Sequence, residues 1–260
     1  MNIGLLLTYN EADIIEEMME HNRGMVDTIF VLDGSDDGTD RILAAYPEVE
    51  LILKDGDVAP DGRVRDHHRQ ALLEAARERH GHGHWYTLMH GDEMFHDDAR
   101  AVAEAAQRQG AARVNWAAMQ FFMHESDEPL NVTLPVQQRL TWYSPFWVEI
   151  RQFRDNPQAA YRAGEHGRVF PRGVGWRPYS KMPIVKHYPY RDPEQMKVRV
   201  NAMQNRGFSG TAAEASVYRT TYAREYTVAR RFEGSFEELE MARQGGLLHM
   251  FWRWRRWVKV

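Results

Sequence analysis

The 260-residue chain contains no cysteine. That excludes a disulfide framework and thiolate metal sites, and it fits a reducing compartment. No apolar run approaches the roughly 20 residues that cross a bilayer. The opening "MNIGLLLTYNEAD" lacks a basic leader and a small-residue cleavage site, so it does not read as a signal peptide. Charge of one sign is lacking too. Against 37 Asp and Glu stand 33 Lys and Arg, a net −4 that supplies no global reason to bind nucleic acid. There is no internal repeat and no low-complexity linker. The expectation is a soluble, cytoplasmic globular protein. What the chain does have is apolar content, 43% of its residues, enough for a full core in one large domain or two small ones.

The first half alternates between two kinds of segment. "NIGLLL" (2–7), "DTIFVLD" (27–33), "VELILK" (49–54) and "HWYTLMH" (84–90) are short apolar runs, the mark of strands. Between them, "NEADIIEEMMEHN" (10–22) has helical spacing, with Asn10 as N-cap, and "DRILAAYP" (40–47) is a short helix ended by Pro47. A long helix is expected over 63–80, and another over 97–110 with an Asp cap and a Gly stop. Strand and helix in alternation with short loops imply a mostly parallel central sheet with helices on both faces, an α/β fold. Beyond Arg113 the pattern loosens. "ARVNWAAMQFFM", "QQRLTWY" and "FWVEIRQFR" read as strands, 192–206 as a helix, and the tail from Ala212 to Arg231 as helical. The expected division is a main domain over 1–210 and a C-terminal helical appendage over 211–260.

In open α/β sheets, ligands bind beyond the carboxyl ends of the strands. Three strands here end in polar clusters: "TYNE" (8–11), "DGSDDGT" (33–39) and "HGDE" (90–93). Parallel strands would pool them at one cleft. Glu11 and Asp33 can accept hydrogen bonds from the hydroxyl or N–H groups of a ligand, and equally serve as a helix cap and a turn former. Arg65 and Arg69, about one helical turn apart, could clamp a diphosphate or line a solvated helix face.

The stretch "LLLTYNEADIIEEMMEHNRGMVDTIFVLDGSDDGT" resembles the opening of the family 2 glycosyltransferases, and "YTLMHGDEMF" stands where that family carries its D-x-D-E metal motif. "EIRQFR", "AYRAGEHGRVF" and "IVKHYPYRDPEQMKVR" are similar to the later part of one branch, so the likeness runs over about residues 3 to 200. Three positions depart from the pattern: Leu32 for the first of two aspartates, His90 for the first acid of D-x-D, and Glu165-His166 for a histidine–glutamate pair. The resemblance implies a nucleotide-binding fold of the GT-A type. It also implies an inverting hexosyltransferase moving a sugar from a nucleotide-diphosphate donor to a glycan or lipid-linked acceptor, in cell-surface polysaccharide or glycolipid assembly.

The same resemblance places Thr8 and Tyr9 at the base pocket, with the Tyr9 ring as a stacking face. Negative charge builds on the leaving diphosphate, and a divalent cation, Mn²⁺ or Mg²⁺, neutralises it. Asp92 is its expected oxygen ligand and His187 a nitrogen ligand from the far side, which favours Mn²⁺. Inversion needs a base for the acceptor proton. Glu165 is the first candidate and Glu149 the second, the latter in competition with an ion pair to Arg151 or Arg154. His90, Glu93 and His166 are placed beside donor or acceptor.

Two features lie outside that scheme. "HGHGH" (80–84) reads as a turn rather than a metal site, because it precedes a strand at the edge away from the cleft. In "HMFWRWRRWVKV" (249–260) tryptophans alternate with arginines, which suits contact with the inner face of a membrane or packing on the domain. Two rival functions remain: a sugar nucleotidyltransferase, whose glycine- and lysine-rich phosphate loop "TYNEAD" lacks, and a non-catalytic nucleotide-sugar or carbohydrate-binding protein.

Overall fold

The computed structural model describes residues 1–54, 66–124, 131–161, 170–196, 230–234 and 236. The elements are β1 (Asn2–Thr8), α1 (Ile15–Asn22), β2 (Thr28–Asp33), α2 (Thr39–Leu43), β3 (Val49–Lys54), α3 (Asp66–His80), β4 (Trp85–His90) and β5 (Glu93–Phe95). They continue with α4 (Ala99–Arg108), β6 (Arg113–Phe122), α5 (Val136–Arg139), β7 (Trp142–Arg154), β8 (Ile184–His187) and β9 (Arg230–Arg231). The chain divides into two units. The described part of the first comprises 1–54, 66–117, 148–161 and 170–185; that of the second, 118–124, 131–147, 186–196, 230–234 and 236.

The strands follow the order β3-β2-β1-β4-β7-β6-β8-β5, of which β1 to β5 fall wholly within the first unit while β6, β7 and β8 each run across the division of the chain. The pairs β3–β2, β2–β1 and β1–β4 are parallel, and β7 runs antiparallel to β4. Every residue of β1 and β2 is buried, because both faces of these strands are covered. On one face Ile3, Leu5, Leu7, Phe30, Leu32, Tyr86 and Leu88 pack with Leu72, Leu73 and Ala76 of α3. Each such side chain contributes about 1.5–3 kcal/mol by leaving water. The other face takes α1, whose Met19 lines a small cavity with Ile29 of β2, and α4, whose Ala99 carbonyl accepts from Gln152 Nε2. Gly4 lies on this second face, where a Cβ would come within 2.8 Å of Met89 Sδ, so a larger residue there would force that side chain to shift. The α/β class, the parallel half-sheet and the helices on both faces stand as the alternation implied.

Several boundaries differ from expectation. α1 starts at Ile15, five residues late, and Asn10 is not its cap. Asn10 has φ 53, its N–H donates to Ser35 Oγ and its Oδ1 accepts from Asp36 N–H, so it ties the end of β1 to the turn after β2. "QQRLTWY" is not one strand. Pro135, with φ −49, leads into α5, and β7 begins only at Trp142 and runs through "FWVEIRQFR". Arg230 and Arg231 form β9 rather than the end of a helix. α4 matches expectation closely: Asp98 accepts from Arg100 and Ala101 N–H, and Gly110, φ 68, follows its last turn. The expected boundary at 210/211 and the appendage up to Ala229 lie outside the described residues, as does 249–260.

In the second unit β9 pairs antiparallel with β7 through Trp142–Arg231 and Tyr143–Arg230. Phe121 stacks on Tyr188 at 4.8 Å between centroids, and Lys186 Nζ lies 4.6 Å from the Phe232 ring centre. Among the described residues no helix is long and apolar enough to cross a membrane.

Candidate active site

The parallel register brings Thr8 level with Asp33, and Leu7 level with His90, so the polar ends of β1, β2 and β4 share one edge. Thr8 Oγ1 donates to Glu11 Oε2 at 2.9 Å, and Glu11 N–H donates to Thr39 Oγ1 at 3.0 Å. The Glu11 carbonyl, rather than its carboxylate, accepts from Ile14 and Ile15 N–H ahead of α1. The carboxylate instead lies over Gly91, where any Cβ would collide with Oε2. Gly91→Ala is therefore expected to displace Glu11 from Thr8 and cost about 1–3 kcal/mol, the range for forced overpacking. A urea midpoint equal to that of the parent chain would show that the Glu11 carboxylate is not fixed there. Tyr9, half-buried, packs against the α3-side core.

Asp33 is fully buried and is held by the turn that follows it and by Lys54. Oδ1 accepts from the N–H and the hydroxyl of Ser35, and Oδ2 meets Lys54 Nζ at 2.9 Å. Lys54 also meets Asp40 at 2.9 Å and the Ser35 carbonyl at 3.3 Å. The hydrogen bond to Asp33 holds the Lys54 ammonium above its ordinary value, and the bond to Lys54 holds the Asp40 carboxyl below its own. Asp37 organises the same turn through Thr39 and Ala12 N–H. Lys54, Ser35 and Thr39 were not singled out from the sequence. The only trace they left there is their place at the end of a strand or in a turn rich in hydroxyls.

At the end of β4, His90, Asp92 and Glu93 bring three possible metal-ligating atoms within 4.8 Å of one another. Asp92 and Glu93 are buried, at 3% and 1% exposure. Two arginines enter the same cluster. Arg151 of β7 reaches Glu93 Oε1 with Nη2 at 2.6 Å and Glu149 Oε2 at 3.5 Å. Its Nη1 stands 3.3 and 3.4 Å from the two ring nitrogens of His90. Arg69 of α3 places Nη2 3.1 Å from His90 Nε2. A guanidinium can only donate and a carboxylate only accept, so Nε2 accepting from Arg69 and Nδ1–H donating to Glu93 Oε1 at 3.1 Å is the tautomer that meets both, with the Arg151 Nη1 contact at Nδ1 left unmade. Burial pushes the His90 imidazole below its ordinary value, Glu93 opposes that, and Arg151 and Arg69 reinforce it.

Two carboxylates and an imidazole suit Mn²⁺ or Mg²⁺ by chemistry. A cation taking all three would displace Arg151 from Glu93 and Arg69 from His90. Asp92 is the member through which a cation would be held without breaking those two contacts. His187 ends β8 and belongs to the second unit. Glu149 is half-buried on β7 with its carboxylate toward Arg151, so the competing ion pair is present at the longer distance of 3.5 Å. Arg65, Glu165 and His166 lie outside the described residues. The histidines of "HGHGH" take structural partners: His80 pairs with Glu50, His82 with Asp155, and His84 with the His80 carbonyl.

No protein-family model matches the chain. No curated protein matches it either. Among solved structures the chain is similar to a protein from Bacillus anthracis assigned as a glucose-1-phosphate thymidylyltransferase, crystallised in complex with a sucrose. The TM-score is 0.32 and the identity 11%, over 47% of this chain and 56% of that one. The match thus spans about half the length of that protein, and at this level it bears on neither activity nor substrate.

Proposed function

We propose that the chain is an inverting glycosyltransferase with a nucleotide-binding fold of the GT-A type, moving a sugar from a nucleotide-diphosphate donor to an acceptor hydroxyl. The observation that supports this is the pooling of Thr8, Glu11, Asp33, His90, Asp92 and Glu93 at the carboxyl edge of parallel strands β1, β2 and β4. Such an edge is where open α/β sheets hold ligands. Thr8, Tyr9 and Glu11 are the proposed contacts to base and ribose, with Asp33 holding the adjoining turn in shape. In the reaction the acceptor oxygen bonds to the anomeric carbon as the bond to the diphosphate breaks, and the electron pair leaves with the diphosphate. The acceptor proton passes to a carboxylate, Glu165 in the first instance or Glu149. A Mn²⁺ or Mg²⁺ ion held by Asp92 would supply neutralisation of the leaving charge. The acceptor is proposed to be a glycan or a lipid-linked sugar, with 249–260 as a contact to the inner membrane face.

Titration with UDP and GDP, each with and without Mn²⁺, tests the reading. One of them is expected to raise the melting temperature, and the matching sugar donor to release free nucleotide in the presence of acceptor. Nucleotide binding without any release from the intact donor would mark a binding protein. Pyrophosphate formed from a nucleoside triphosphate and a sugar phosphate would mark a nucleotidyltransferase.

A further inference from the structure

Arg69 is 7% exposed, yet among the described residues it has no ion pair. The neighbouring carboxylates Glu93 and Glu149 both go to Arg151. Among the described residues its hydrogen-bond partner is the imidazole of His90, and its Nη1 is buried without an acceptor. Burial pushes its guanidinium below the ordinary value, the positive charge of Arg151 adds to that, and Tyr161, Glu93 and Glu149 oppose it. A buried arginine without a carboxylate is rare, and its unmet donor is a standing cost to the fold.

We propose that Arg69 and His90 form a seat for the phosphate groups of the ligand, in which histidine at 90 keeps the Arg69 charge available by engaging it without neutralising it. An acid at the end of β4 would set a negative charge facing Arg69 and cancel its charge. The imidazole offers a lone pair rather than a carboxylate, so the guanidinium is oriented without an ion-pair partner among the described residues. Its Nη1 and Nη2 present the fork that phosphate oxygens accept in pairs. Arg69 is the binding residue and His90 a positioning residue acting through it. The inference rests on the sugar-transfer reading only in taking the phosphates to be those of a nucleotide donor.

Inorganic pyrophosphate, UDP and GDP are the probes, read by calorimetry and by melting temperature with and without Mn²⁺. Arg69→Met is expected to weaken pyrophosphate and nucleotide binding by about tenfold or more, while the ligand-free protein melts no lower than the parent. His90→Asp is expected to weaken binding similarly, and His90→Gln, which keeps a neutral acceptor, to stay within about threefold of the parent. Arg69→Gln is the second neutral variant should the methionine variant not fold. Unchanged affinity in the Arg69 variants, equal binding by His90→Asp and His90→Gln, or no response of the parent to any probe would each overturn the seat. A parent chain that binds pyrophosphate through Arg69 but no nucleoside diphosphate would keep the seat and overturn sugar transfer. Nucleotide binding indifferent to Arg69 would do the reverse.

Discussion

On the proposed function, Asp92→Asn is expected to lower sugar transfer roughly a hundredfold, the loss of about 3 kcal/mol of transition-state stabilisation. The amide preserves the size of a side chain that is 3% exposed and removes only its charge. Substrate binding should change less than turnover, because the diphosphate charge the cluster must accommodate grows as the bond breaks. The measurement is initial rate against donor concentration over a series of Mn²⁺ concentrations, with the melting curve as a check on folding. Near-parent turnover would remove Asp92 from the reacting centre and leave the strand-end cluster a structural one.

The second large effect falls on stability. Glu93→Leu leaves the Arg151 guanidinium, 3% exposed at its side chain, without its closest carboxylate. Breaking one side of a buried pair costs about 3–5 kcal/mol, and Glu149, still 3.5 Å away, holds the value near the lower end. For a chain of this size that is roughly a 10 °C fall in melting temperature. Adding Arg151→Met should restore most of the loss, since the pair then disappears as a unit. If the double variant melts lower than the single one, Arg151 stabilises the fold through contacts other than Glu93.

The edge where the candidate site lies was legible because it depends on local signals. "NIGLLL", "TIFVLD" and "WYTLMH" announce buried strands by composition, and the polar residue closing each is adjacent in sequence. Parallel pairing then aligns Thr8, Asp33 and His90 without further information. The wiring beyond that edge was not legible. Arg151 meets Glu93 across 58 positions, and Arg69 meets His90 across 21, so neither contact has a periodicity to betray it. Asn10 shows a different limit: a good capping residue sits before a helical pattern, but its side chain serves the Ser35–Asp36 turn instead. The local preference was real and tertiary geometry redirected it. Arg69 itself was read as equally suited to a solvated helix face, because α3 is too polar for its buried side to stand out.

Lys54 closes β3, the strand at the open margin of the sheet, with about half of its side chain in water. Its ammonium is nevertheless what balances the sealed carboxylate of Asp33 and braces the backbone at Ser35. A surface amine is thus a handle on an interior anion. Acylating that amine would leave Asp33 uncompensated, and the disturbance would surface at Asn10, two strands inward, through the hydroxyl they share.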